Sequence, residues 1–395
     1  MKKVNFFAML AAAALMTGVT SCSNDDNVGD GGPEGQGKSA SLTISIKNPS
    51  GTRAIDNATT PMASDDNTVT NLTAYVFDGN GACLASKYFS TTTNEHDGFS
   101  RVKIDGITTE AAEVYVVANA GNQETLAAVG SAKTALIAKT QTLGSQFTKR
   151  WATGSVVISS TDWTASGTDG TMSAHVDATL EFMAARIVVK VVNGMTGYDA
   201  SDAAKIKLDS VGVLSVISES LLFENAGSLV PGTKAYWTGL DVSNFTSTTE
   251  TKNPLLADQY DNTTNATSPA DQTFYYYVYE NDATTAAELP TIVTVQGVVT
   301  DLAGDGSNVK KTFYYPVHLA GYESFTTNPN SADLSKGVER GKSYEITITI
   351  KADPTETGGN GGGTIDPLIP VQDGEILLDI KIEDWVPVTL GKTFD

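Results

Sequence analysis

Histidine and cysteine are scarce, with three and two among 395 residues. His96, His175 and His318 are far apart, and none stands in a zinc-ligand spacing such as H-E-x-x-H, so no metal site is expected. There is no G-x-S-x-G, and the glycine run near residue 361 is not followed by the Lys-Ser/Thr of a phosphate loop. Glu95-His96-Asp97, beside Gly98, reads as a solvated turn. Asp301 to Asn308 lacks the alternating carboxylates of an EF-hand and reads as a hairpin turn. No catalytic residue and no cofactor is expected, and an enzyme is not the reading. Positive charge is also short: 26 basic residues face 46 acidic ones, a formal net charge of −20. That balance argues against nucleic acid or an anionic membrane surface as the partner.

The apolar run near the start, Val4 to about Met16, is too short to cross a bilayer and follows Lys2 and Lys3. It has the length and flanking charge of a secretory signal, so the chain is expected to be exported. The run ends in Val19-Thr20-Ser21-Cys22, which looks like a bacterial lipobox with Cys22 as the lipidated residue. Ser23-Asn24-Asp25-Asp26 resembles the acidic stretch that routes lipoproteins of Bacteroidetes to the cell surface. If Cys22 carries lipid no intramolecular disulfide can form, and Cys83 is read as a small buried apolar residue. Residues 27 to 40, Gly-rich and polar, read as a tether.

What the chain has in quantity is Thr, Val, Ile and Tyr, with 36 glycines to punctuate them. This composition points to an all-β extracellular protein, and the length to two domains. Strand-like runs occur at Asn71 to Phe77, Ala82 to Phe89, Glu113 to Ala120, Gly154 to Ser159 and Met172 to Val176. Between them, Gln123 to Leu143 has apolar residues at Leu126, Val129, Ala132, Leu136 and Ile137, roughly helical in period, and reads as one or two short helices laid on a sandwich. A boundary is placed near residue 184. Beyond it come runs at Lys205 to Val216, Thr273 to Glu280, Pro290 to Val299, Lys311 to Leu319 and Ser343 to Lys351. Asn244 to Asp271 reads as a solvated surface excursion. Tyr275, Tyr276, Tyr277 and Tyr279, with Trp237, could form a sugar-binding platform, but alternating aromatics in a sandwich are usually core. Asp209-Ser210-Val211 resembles a short O-glycosylation acceptor motif.

The two ends carry the functional reading. Leu42, Ile44 and Ile46 alternate with Thr43, Ser45 and Lys47, the pattern of a half-buried strand. A turn-like Asn48-Pro49-Ser50-Gly51 follows, and then Thr52-Arg53-Ala54, where a protease could reach the backbone. A strand on a cuttable tether is removable. At the other end, a glycine-rich hinge at residues 357 to 363 precedes Ile376, Leu378, Ile380 and Ile382 on one face of an alternating strand. Val386, Val388 and Leu390 continue on the same parity after Asp384-Trp385, and Pro387 confines that piece to an edge or a bulge. Loss of the first strand would leave an apolar groove between unpaired strand edges, a template for strand addition. Donor and acceptor at opposite ends of one chain make a head-to-tail contact that propagates into a filament. Removing residues 1 to 53 takes away five basic and four acidic residues, leaving 21 against 42 and a net charge of −21.

In this order the pieces resemble the major fimbrial subunit (fimbrillin) family of Bacteroidales, whose members form type V pili. They are the lipobox at Cys22, the strand with Thr52-Arg53-Ala54, the Leu72 to Asn80 and Val114 to Gly121 runs, Ala185 to Val191, Gly341 to Tyr344 and Ile382 to Trp385. The resemblance implies two transthyretin-like β-sandwich domains with a few short helices and a C-terminal donor-strand segment. It implies a signal peptide over 1–21, a tether and removable strand over 22–53, sandwiches over 54–184 and 185–356, and a hinge with donor strands over 357–395. It implies lipidation at Cys22, cleavage by an arginine-specific protease between Arg53 and Ala54, loss of Leu42, Ile44 and Ile46 with their strand, and donation of Ile376 to Leu390. The partners it implies are other copies of the chain, accessory pilins and the protease. The membrane is touched only through the precursor's lipid, anchored in the outer membrane before the subunit joins a surface fimbrium. The competing reading is a monomeric surface lipoprotein that binds glycan or host protein, which needs neither cleavage nor donor.

Overall fold

The computed structural model describes residues 37–47, 69–90, 96–97, 99–142, 151–166, 168, 170–193, 206–223, 235–240, 251–260, 271–281, 289–300, 310–319, 337–350 and 376–384. The described chain from Gly37 onward is almost entirely β, and its long strands make two sandwiches.

The first sandwich pairs two five-stranded sheets. One runs in the order His96–Asp97, Arg101–Thr108, Ser39–Lys47, Met172–Thr179, Thr164–Ala165; the other Glu181–Phe182, Ala152–Val157, Ala111–Ala118, Leu72–Asp78, Cys83–Phe89. Alternation puts Leu42, Ile44, Val102, Ile104, Ala174 and Val176 inward from the first sheet, where they share one core with Leu72, Ala74, Val76, Val114 and Val116 of the second. The turn between Leu72–Asp78 and Cys83–Phe89 forms because the Asp78 carboxylate accepts from the amides of Asn80 and Ala82, and Gly81 supplies a φ of 82°.

The second sandwich has a sheet ordered Gln272–Tyr279, Ala184–Asn193, Lys342–Ile350, Ile376–Asp384, and another ordered Ala257–Gln259, Ile206–Leu214, Ile292–Thr300, Lys310–His318. Ala184–Asn193 lies between a parallel and an antiparallel neighbour, with Ile187, Val188, Val189 and Val191 all buried, as its continuous apolar run dictates. Tyr276, Tyr277 and Tyr279 are buried in the structure rather than displayed, Tyr276 and Tyr279 in one core cluster and Tyr277, on the other face of the strand, in the core of the first sandwich. The Tyr276 hydroxyl donates to the Val211 carbonyl at 2.8 Å. Between the sandwiches, Thr140–Thr142 pairs with Glu219–Leu221, and Tyr115 meets Phe223 edge-on at 5.0 Å. Beside that joint, Arg340, 4% exposed, donates to the Glu280 carboxylate at 2.9 Å, to Ser220 Oγ and to the Leu221 carbonyl.

The helical stripe read over 123–143 forms short helices as expected, a 3-10 turn, Glu124–Leu126, and a five-residue helix, Lys133–Ile137. Gly130 at φ 85° separates them, so Leu136 is buried while Val129 is 72% exposed. The polar excursion over 244–271 is not all solvated. Its Leu256 and Tyr260 enter the core, and Ala257–Gln259 adds an edge strand.

Candidate functional site

The site is a lane in the first sheet and the strand that fills it. Ser39–Lys47 alternates buried residues with half-buried ones between its exposed ends, with Leu42 and Ile44 fully enclosed and Ala40 and Ile46 nearly so. Burying Leu42, Ile44 and Ile46 contributes roughly 1.5–3 kcal/mol each. The strand has a neighbour on both sides. It runs parallel to Met172–Thr179, from Ala40 opposite Met172 to Lys47 opposite Thr179, and antiparallel to Arg101–Thr108, from Ser39 opposite Thr108 to Ser45 opposite Arg101. A bulge at Gly106, φ 75°, lets Asp105 and Ile107 face consecutive residues Ser41 and Ala40 and returns Ile107 to the core.

The solvent face of the lane is polar. Ser45 Oγ lies 2.7 Å from His175 Nε2. Lys47 Nζ lies 2.5 Å from Asp177 Oδ2, with both side chains half exposed, so this pair contributes at most about 1 kcal/mol. Arg101 and Lys103 are exposed on the other flank, the latter paired with Asp105 at 2.9 Å. The strand is thus held by its backbone ladders and four inward side chains.

The closing strand, Ile376–Asp384, occupies an edge. It pairs antiparallel with Lys342–Ile350 over nine positions, from Lys342 opposite Asp384 to Ile350 opposite Ile376, and Ile380 is 5% exposed. Next to it Tyr344 is buried, its hydroxyl accepting from the Glu339 amide and donating to the Gly337 carbonyl, and burial pushes its phenol up to about 12.

Of the residues singled out in the sequence, the structure places Leu42, Ile44 and Ile46 together in the lane, and Ile376, Leu378, Ile380 and Ile382 on the closing strand. Cys22, Arg53, Ala54, Val386, Val388 and Leu390 lie outside the described residues, as do the Asp301 to Asn308 stretch and the glycine hinge. Cys83 is buried. No group of three metal-binding side chains occurs among the described residues. The Arg101–Thr108 flank is not among the strands expected from the sequence. Its signal, Val102 and Ile104 alternating with Arg101, Lys103 and Asp105, is cut short where Gly106 shifts the parity.

The comparisons with known proteins agree with this architecture. A family model for the major fimbrial subunit protein FimA matches residues 40–181, and one for the C-terminal domain of FimA-like major fimbrial subunit proteins matches 184–385. A comparison with curated protein sequences gives no match. Among solved structures, the chain is similar to a candidate cell adhesion protein from Bacteroides eggerthii, at 24% identity and a TM-score of 0.62, covering 90% of this chain and 98% of that one. It is similar to a fimbrilin from Porphyromonas gingivalis at 20% identity and a TM-score of 0.57, covering 89% and 99%. A candidate adhesion protein from Parabacteroides distasonis matches at 18% identity and 0.54, covering 88% and 99%. With the two family models together taking in nearly all of the described chain, the protein belongs to the FimA family of major fimbrial subunit proteins.

Proposed function

We propose that this fimbrial subunit is a stalk component that polymerises by exchanging its first strand. The observation that carries the reading is the position of Ser39–Lys47: it fills an interior lane of its sheet, yet both its partners come from later in the chain, and Arg53 follows it within six residues in sequence. Cutting Arg53-Ala54 frees the strand from the sandwich. The lane then has two unpaired edges and a floor of Leu72, Ala74, Val76 and Val114. An apolar strand from another copy answers both, and Ile376 to Leu390 is the segment with the right alternation. In this reading the domains divide at residues 184/185, the precursor is exported and lipidated on Cys22 at the outer membrane, and the processed subunit joins a surface fimbrium with accessory pilins, where it mediates adhesion.

The test is to treat the purified precursor with an arginine-specific protease and run it unboiled on a denaturing gel. A ladder is the expected result, and it collapses when residues 376–395 are deleted. A single trimmed or uncut band, under conditions in which a fimbrillin of known behaviour polymerises, overturns the reading in favour of a monomeric surface-binding protein.

A further inference from the structure

The lane dictates more than a strand of alternating polarity. Inward it takes a small residue at the level of Ala40 and large ones at Leu42, Ile44 and Ile46. Outward, the side chain at level 45 meets His175 and stands opposite Arg101, and the side chain at level 47 reaches Asp177. An occupant therefore satisfies the flanks when it offers a hydrogen-bond acceptor at level 45 and a cation at level 47.

Near the other end, the sequence Gly374-Glu375-Ile376-Leu377-Leu378-Asp379-Ile380-Lys381 has that layout. Resting on the strand exchange proposed above, we propose that Ile376–Lys381 of a second copy enters the vacated lane parallel to Met172–Thr179 in one register. That register puts Leu378 at the level of Ile44, Asp379 at that of Ser45 and Lys381 at that of Lys47. Asp379 then accepts from His175 and Arg101, and Lys381 takes over the contact with Asp177 that Lys47 makes in the precursor. Asp177 stands opposite level 45 as well, but its carboxylate is engaged by the lysine at level 47 now and after exchange.

The competing registers fail on the same groups. A slip of one residue turns the apolar face to solvent. A shift of two residues one way puts Ile376 into the space of Ala40, Lys381 against Arg101 and His175, and Glu383 against Asp177. The opposite shift leaves Gly374 in the space of Leu42, opening a cavity, and sets Asp379 against Asp177. Running the strand in reverse with Lys381 at level 47 buries Asp384 at the level of Ile44.

Cysteine pairs read the register. Residues directly opposite in an antiparallel pair have Cα atoms about 4.5–5.5 Å apart, within disulfide reach, and a shift of two residues moves them about 7 Å along the strand. After protease treatment and oxidation, Arg101→Cys with Asp379→Cys gives a covalent ladder that survives boiling without reductant; Arg101→Cys with Leu377→Cys or Lys381→Cys does not. A covalent ladder from either of the latter pairs in place of Asp379 overturns the register while leaving strand exchange standing. Absence of the unboiled ladder from the unsubstituted chain removes strand exchange and the register with it. As a second readout, Asp177→Lys and Lys381→Asp each lower ladder yield about two- to fivefold, the size of a half-exposed ion pair. Combining them restores it, and failure of that restoration also overturns the assignment.

Discussion

Ile44 sits at the middle of the lane with no exposed surface, between Val102 on one flank and Val176 on the other. Ile44→Ala in the precursor is predicted to cost about 2–5 kcal/mol in urea unfolding, through lost burial and the cavity left behind. The same substitution is predicted to leave assembled fibres unchanged, since under the proposed exchange the residue would depart with the cleaved segment. Equal destabilisation of both forms would show that the strand stays. Tyrosines give a second prediction at this scale. Burial, aided by Glu113 for Tyr115 and by Asp271 for Tyr260, pushes both phenols up to about 12, and burial does the same for Tyr344. A raised phenol pKa in the folded state contributes stability that is complete below the ordinary value near 10 and is lost as pH climbs through about 12. Stability in urea unfolding should therefore remain flat up to about pH 10 and fall above it, with tyrosinate absorbance rising as the chain unfolds; loss of stability well below that would contradict the buried placement.

Most strands were legible because sandwich strands carry their own period. Ser39–Lys47 and Lys342–Ile350 alternate, whereas Leu72–Asp78 and the Tyr-rich end of Gln272–Tyr279 are apolar runs buried on both faces. Pairing was not legible. Nothing local in Ser39–Lys47 specifies a parallel neighbour some 130 residues away, which follows from the closure of the whole sheet. Residues 123–143 carry the short helical pieces that their Ala-rich composition favours, and the Cys83 carbonyl takes the Gly130 amide and the Gly81 carbonyl takes the Lys133 amide, tying the segment to the neighbouring hairpin. Leu256 and Tyr260 were hidden by the polar composition of the wider stretch and by the lack of any strand period, their burial set by tertiary contact. Arg101–Thr108 was missed through its bulge, which leads to a prediction at the scale of the element. Gly106 holds φ 75° in open space, so Gly106→Ala should meet no clash but cost about 1–2 kcal/mol of backbone strain. Gly106→Asn should cost less, since asparagine tolerates that conformation. Equal costs in urea unfolding would remove the bulge from the account of how the lane's register is kept.

For the whole molecule, the proposed exchange between a lane at one end of the chain's sequence and a strand at the other would make each subunit both acceptor and donor, giving growth a direction and no closing step. The net charge of −20, −21 if residues 1–53 are lost as proposed, sets subunits to repel one another wherever no specific contact overrides it. The central claim is that Ser39–Lys47 leaves its lane and a second copy refills it. Hydrogen exchange at Arg101–Thr108 and Met172–Thr179, the two flanks, follows this most directly. Both flanks are predicted to be protected in the precursor, exposed in protease-treated subunits lacking residues 376–395, and protected again in the assembled polymer. Flanks that stay protected in the truncated, processed subunit, or stay exposed in the polymer, would contradict it.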